Sequence, residues 1–352
     1  MKQRIVILGG GLAANFLAAR IVQRGHKVTI IDDRSPKSAS RVAAGMFKII
    51  TGRFGALSWK GPDLLKEIHD FFQLPELTSL QRHLHYTPIY RPFKTIEGYN
   101  KWLGRAEDRI FQSIVDFQEK PLFPQMLHNE FGGILIKPCG WADTVHLLQG
   151  FEHVLSQKFD LIYHFVELSY DQIDIKQQKI QLGKHELPFD HLIFAEGYRM
   201  IHNPWLEKVK IIPNKGEILL IKAPELKLPF AISKKVYLVH LGEGKYVCGS
   251  TYQNRFEDIE PSDGGKAEII SHLQKAIKVP FEVIDHWAGV RPTTPNRRPI
   301  VGTLPDYAHV HVLGGFGTKG MLLGPYTSRL LEQLIFEGVD EIPKEARLDR
   351  FF

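Results

Sequence analysis

The chain has 352 residues, 43% of them hydrophobic, enough for two domains or for one domain with a large insertion around a sizeable core. Lys and Arg number 45 against 39 Asp and Glu, a formal charge of +6 with no block of like charges, so a polyanionic partner is permitted and not required. There is no apolar run long enough to span a membrane and no signal-peptide pattern, so a cytoplasmic protein without membrane contact is expected; Cys139 and Cys248 lie too far apart for a metal-ligand spacing, which argues against a structural metal and a disulfide framework.

The opening "RIVILGGGLAANFLAARIVQRGHKVTIIDDR" reads as strand, glycine turn, helix and strand, with strands over 5–8 and 28–31 and a helix carrying Leu12, Phe16, Ala19, Ile21 and Val22 on one side. In a turn of this type Gly9 allows the bend, Gly11 lets a pyrophosphate approach the backbone, and Ala14 is the third small residue, where helix and strand pack closely. The N–H groups at the helix start, around Leu12 and Ala13, would face the phosphates. Asp32 closes the second strand, where a carboxylate accepts hydrogen bonds from ribose hydroxyls. Asp33 is the alternative, with Arg34 beside it.

Residues 35–47, "SPKSASRVAAGMF", bring small side chains together at Ala39, Ser40, Ala43, Ala44 and Gly45, followed by Met46, with Ser40 as the expected cap of a helix lying along a bound ligand. This stretch, with the opening unit, resembles the Ser-x-x-Ala-Ala-Gly-Met element of the D-amino-acid-oxidase-like FAD oxidoreductases, the group that includes glycine oxidase and sarcosine oxidase. The resemblance implies an α/β protein: a Rossmann-like FAD-binding domain with a discontinuous α+β substrate domain built on an antiparallel sheet. The expected division is 1–53, 132–208 and 288–352 for the FAD domain, and 54–131 and 209–287 for the substrate domain.

Residues 54–131 are aromatic-rich and broken by prolines, with amphipathic stretches over 64–72 and 102–117. Residues 159–197 alternate apolar and polar positions in short runs, a β-rich insert leading to a strand over 191–195. By resemblance Val166 packs near the adenine, and Ala195 and Gly197 form the small-residue turn beside the ADP half; Glu196 and Arg199 depart from the family pattern. "GEILLIKAPE", "KKVYLVHLGEGKYVCGSTY" and "FEVIDHWAGVRP" read as successive antiparallel strands turning at residues 242–244.

The C-terminal "VHVLGGFGTKGMLLGPYTSRLLEQLIFEG" is a strand, a glycine-rich loop and a helix, in which Gly315, Gly317 and Gly320 let the backbone approach a flat ligand. The resemblance places Phe316, Thr318, Lys319 and Met321 along the flavin with these glycines, and Gly289 beside it. A family cysteine that links flavin covalently is missing from this loop, so the FAD is expected to be noncovalent.

The expected activity is oxidation of the C–N bond of a small amine or amino acid by hydride transfer to flavin N5, a step in which the cofactor does the chemistry and the protein supplies orientation. In "WAGVRPTTPNRRPIVG" the arginine of the family's Trp-x-Gly-x-Arg-Pro motif falls on Arg291, which by resemblance clamps a substrate carboxylate; Tyr237 is expected in the pocket wall, and Arg297 and Arg298 are expected to flank a turn. Lys319, "GFGTKGMLLGPYTSRLLEQL" and "IPKEARLDRF" are also similar to the oxidoreductase half of the bifunctional enzyme that makes 5-methylaminomethyl-2-thiouridine in tRNA. The alternative expectation is therefore removal of a carboxymethyl group from a tRNA wobble uridine. A third is a flavin-binding protein without catalysis.

Overall fold

The computed structural model describes residues 1–52 and 55–352. The strand Arg4–Leu8 forms from a run buried on both faces, the helix Leu12–Gln23 covers it, and the strand Lys27–Asp32 returns parallel to it. Phe16 anchors this helix, meeting the rings of Phe71, Phe72 and Phe151 edge-on with centroids 5.0, 6.0 and 5.5 Å away.

These two strands lie within a six-stranded sheet ordered Leu161–Phe165, Lys27–Asp32, Arg4–Leu8, His191–Phe194, Tyr307–Gly314, Ile300–Leu304. The first five strands are parallel, and the last is antiparallel to its neighbour. Between Leu161–Phe165 and His191–Phe194 the chain makes a three-stranded antiparallel meander, Ile173–Asp174, Lys179–Leu182 and His185–Pro188. The parallel strands all point the same way, so residues 9, 33, 166, 195 and 315 emerge from one edge of the sheet. All five line a single cavity. Ligands of open parallel sheets bind at that edge.

A second sheet of eight strands runs Glu282–Thr293, Ile212–Lys222, Lys245–Gly249, Tyr237–Gly242, Ala231–Ser233, Ile89–Pro92, Gly133–Ile136, Val115–Gln118. Its pairs are antiparallel except Ala231–Ser233 with Ile89–Pro92. That one parallel pair joins two chain segments that no hairpin connects, so nothing forces them antiparallel.

The division along the chain follows sheet membership, and we propose it on that basis. Gly133–Ile136 belongs to the eight-stranded sheet although its sequence position falls in the expected FAD segment, and Glu282–Thr293 runs across the expected boundary at 288. The boundary at 53–54 lies outside the described residues. The stretch over 102–117 is not one helix: Ile96–Arg105 ends before a short turn of helix, Arg109–Gln112, and a strand, Val115–Gln118. The helix Gly61–Phe72, expected with the substrate domain, packs its Phe71 and Phe72 against Phe16 and so shares the core of the parallel sheet's lobe. Among the described residues no helix is long and apolar enough to cross a membrane.

Candidate active site

The glycine turn after Arg4–Leu8 is close-packed. Gly9 has φ +98°, and a Cβ there would lie 2.5 Å from the Ala195 carbonyl oxygen, so the turn and the end of strand His191–Phe194 can approach only because residue 9 is glycine. A Cβ on Gly10 would lie 2.7 Å from the Asp32 carboxylate. Ser40 departs from its expected role. It lies inside a one-turn helix, Ala39–Val42, whose N-cap position belongs to Ser38, and its Oγ accepts the Leu12 N–H at 3.0 Å. Ser40 thus caps the dinucleotide-turn helix rather than its own, because the short helix folds over that N-terminus. Leu12 and Ala13 line the cavity, whereas Ala14 is buried behind them between helix and sheet.

The two adjacent aspartates have different neighbours. Asp33 accepts from the Ser35 N–H and forms an ion pair of 2.6 Å with Arg199, one of the residues that departs from the family pattern. Asp32 accepts the Arg34 N–H at 3.1 Å, lies 3.8 Å from Arg41 and faces the glycine turn. Asp32, which faces the glycine turn, is the carboxylate we propose for the ribose hydroxyls. The Arg34 side chain leaves the cavity: its guanidinium stacks 3.4 Å from the Phe165 ring centroid and pairs with Glu152. Glu196 is also accounted for, accepting from the Tyr170 hydroxyl at 2.8 Å and the Asn203 amide at 2.9 Å; burial raises its pKa.

Ala43, Ala44, Gly45 and Met46 line the middle of the cavity. Gly45 has φ +62°, and a Cβ there would strike the Ala142 carbonyl oxygen at 1.9 Å. Gly289 makes room for Val42, whose carbonyl also accepts the Trp287 indole N–H at 3.3 Å. At the far end Gly315, Phe316, Gly317, Thr318 and Lys319 form the loop before the helix Gly320–Glu337, whose first residues Gly320 and Met321 also line the cavity, and the loop is held by the Gly317 N–H donating to the Pro292 carbonyl at 2.9 Å. Lys319 caps that helix by position, and its ammonium donates to Ser58 Oγ at 3.2 Å. Burial first, then the charges of Arg298 and Arg297, lower its pKa.

Arg291 lies on the strand Glu282–Thr293, and pairing puts it on the cavity face with Gly289, Gly216, Ile218 and Tyr237. Its Nη1 donates to Asn214 Oδ1 at 2.7 Å and to the Thr251 carbonyl at 3.2 Å, and its Nη2 to Ser250 Oγ at 2.7 Å. All three acceptors are neutral, and among the described residues no carboxylate comes within 4.0 Å. Of the five guanidinium N–H donors two remain, the Nε–H and one on Nη2. Burial lowers the pKa of Arg291, and burial raises that of Tyr237, which stays a neutral phenol. Arg297, expected to be structural, lines the cavity, while Arg298 lies over Trp59 with its guanidinium 5.7 Å from the ring centroid.

The cavity these residues enclose has a volume of about 1320 Å³, above the roughly 300–1,000 Å³ usual for a drug-sized ligand. Its lining runs from Val166 and Asp32 past the glycine turn to residues 315–321 and on to Arg291, a path suited to a dinucleotide with a substrate at one end. The Thr293 hydroxyl, in that lining, is buried without a partner, and a Cβ on Gly317 would lie 3.6 Å from it. A family model described as "FAD dependent oxidoreductase", DAO, matches residues 4–334.

The chain belongs to the DAO family of FAD-dependent oxidoreductases. Over 96% of its length it is 27% identical to the bifunctional protein ThiO/ThiG of Trichormus variabilis, covering 53% of that protein. It is 22% identical over 98% of its length to the tRNA 5-methylaminomethyl-2-thiouridine biosynthesis bifunctional protein MnmC of Legionella pneumophila, covering 56% of it. The chain thus spans about half the length of these curated relatives. The crystal structure of glycine oxidase from Geobacillus kaustophilus has the same fold, with a TM-score of 0.81, 19% identity and 99% of both chains covered.

As a DAO-family enzyme the protein uses FAD, and its residues fit that cofactor: helix N–H groups for the pyrophosphate, Asp32 for the ribose and the glycine loop for the ring. Neither cysteine lines the cavity; both are buried elsewhere. Sequence reasoning missed Gly216, Lys48, Ser233, Ser250 and Thr293, all of them in the lining. Only the lack of a side chain at residue 216, within a run of strand formers, hinted that another group lies over it.

Proposed function

We propose that the protein oxidises the C–N bond of a small amine that carries a carboxylate, with Arg291 as the carboxylate anchor. The observation that carries this reading is a buried guanidinium in the cavity whose protein partners are all neutral and which keeps two donors in reserve. An uncompensated buried charge is costly, and a substrate carboxylate would offset it through paired, charge-assisted hydrogen bonds. Asn214, Thr251 and Ser250 fix the guanidinium plane, so the carboxylate direction and the amine beyond it are set before substrate arrives. Tyr237 adds a neutral hydroxyl to the pocket wall, and the apolar faces of Ile218 and Met46 exclude water from the reacting carbon. When bound, the flavin supplies the acceptor for the hydride. Glycine oxidase among the structural relatives is consistent with such a substrate.

The test is anaerobic mixing of the FAD-loaded protein with glycine, sarcosine, proline and D-amino acids, each beside the amine that lacks its carboxylate. Bleaching of the yellow flavin by acids alone supports the anchor, and bleaching by the plain amines at equal rates contradicts it.

A second reading rests on the cavity mouth, where Lys94, Lys101 and Lys235 are exposed in the lining and Arg91 and Lys234 lie close by. A basic rim suits a polyanion, and a carboxymethylated tRNA nucleoside would still present a carboxylate to Arg291. Steep loss of tRNA binding with salt would favour it, and binding no tighter than for a neutral polymer would dismiss it.

A further inference from the structure

Lys48 is a buried cation of the same cavity that the anchor does not use. Lys48 follows the turn over residues 43–46, lines the cavity and donates from its ammonium to Ser233 Oγ. By surface it is half-buried because it borders the cavity, yet its ammonium lies deep among protein atoms. Burial first, and the charge of Arg91 second, lower its pKa to about 8. The Cys139 thiol nearby offers no counter-charge, its own pKa being pushed up to about 12 by burial. Among the described residues no carboxylate comes within 4.0 Å of the ammonium.

Register puts the partners of Lys48 and Arg291 on one wall of the cavity. Tyr237 pairs with Ser233 on one side and Gly249 on the other, and Ser250, next in the chain, accepts from Arg291. The strand Tyr237–Gly242 alone separates the strand ending at Ser233 from the strand ending at Gly249. With strands about 4.8 Å apart, the backbones at Ser233 and Gly249 lie on the order of 10 Å apart, and Lys48, Tyr237 and Arg291 all line the cavity. Two cations in one cavity lining, each held by a serine hydroxyl and neither paired with a carboxylate, form a frame for a molecule with an anion at each end.

We propose that Lys48 binds a second acid group of the substrate, so that the site takes small amines bearing two anionic groups, with the reacting C–N bond held between Lys48 and Arg291. This rests on the reading of Arg291 as a carboxylate anchor.

The probes are thiodiacetate, a diacid with sulfur in place of the amine, and (methylthio)acetate, its monoacid counterpart, titrated calorimetrically into the FAD-loaded protein. Near neutral pH the wild type is expected to bind the diacid roughly tenfold or more tightly than the monoacid. Lys48→Met brings that ratio close to one, and Lys48→Arg retains most of it. In the wild type the ratio also falls as pH rises through about 8, because Lys48 loses its proton there while Arg91 and Arg291 stay charged and Cys139 and Tyr237 stay neutral; this readout stands even if a variant fails to fold. A wild-type ratio near one, a ratio indifferent to pH, or a Lys48→Met ratio like that of the wild type would overturn the assignment of Lys48 alone. Failure of the wild type to bind either acid would overturn the Arg291 anchor and this inference with it.

Discussion

The guanidinium of Arg291 lies directly over Gly216 on the neighbouring strand, so close that a Cβ at residue 216 would stand 1.8 Å from Nη2 and 2.1 Å from Cζ. The anchor occupies the space that the missing side chain leaves. Gly216→Ala would collide with a guanidinium that Asn214, Thr251 and Ser250 pin in place, so relieving the clash breaks charged hydrogen bonds worth about 1.5–3 kcal/mol each, more than the roughly 0.5–1 kcal/mol by which alanine suits a strand better than glycine. The variant should therefore melt at a lower Tm while keeping its FAD, and KM for a carboxylated amine should rise by a factor of about 10–100, the equivalent of one or two charge-assisted hydrogen bonds. Steady-state kinetics beside a thermal melt checks both halves. A drop in Tm with KM unchanged would show that Gly216 serves packing alone.

Asp32 and Asp33 can be separated by what each already holds. Asp32→Ala should weaken FAD binding by about 1.5–3 kcal/mol, the worth of hydrogen bonds to a charged acceptor. Asp33→Ala breaks an ion pair with a substantially exposed Arg199, a loss of less than about 1 kcal/mol, and should leave FAD affinity nearly intact. Fluorescence titration of the apoprotein with FAD gives both values, and the reverse order would move the ribose contact to Asp33.

Lys48 should destabilise the fold it serves. Its pKa falls from an ordinary 10.5 to about 8 in the folded protein, so between those values the unfolded chain holds a proton that the folded protein does not. Stability contributed through this group must rise with pH across that window, and below it the buried charge is a constant penalty. Lys48→Met should raise stability near neutral pH by on the order of 1 kcal/mol and flatten the rise across the window. Denaturant melts of both proteins at several pH values measure this, and a destabilised variant would mean that the ammonium has a compensating partner.

How much of this could be read beforehand depended on how local each feature is. The glycine turn, its helix and Asp32 lie within one short segment, and strand and helix periodicity placed them without tertiary information. The Arg291 motif was legible by resemblance, but the reason for its geometry was not: Gly216, Asn214 and Ser250 reach it only through the register of strands about 40 to 80 residues away in the chain. The same holds for Asp33, whose partner Arg199 comes from the turn after the strand His191–Phe194, and for Ser40, which caps a helix 28 residues earlier. The strand Gly133–Ile136 lies in a stretch expected with the FAD domain, yet it pairs with Ile89–Pro92 and Val115–Gln118, neighbours that chain position does not reveal.

The central claim is that Arg291 holds a substrate carboxylate, and the most direct measurement is the rate of anaerobic flavin reduction in FAD-loaded wild type and Arg291→Ala, with a carboxylated amine and with the same amine lacking the carboxylate. Arg291→Ala should keep its FAD, lose at least tenfold in kcat/KM toward the acid, corresponding to about 1.4 kcal/mol or more, and be indifferent between acid and amine. Wild-type rates in the variant, or an equal loss toward both compounds, would contradict it.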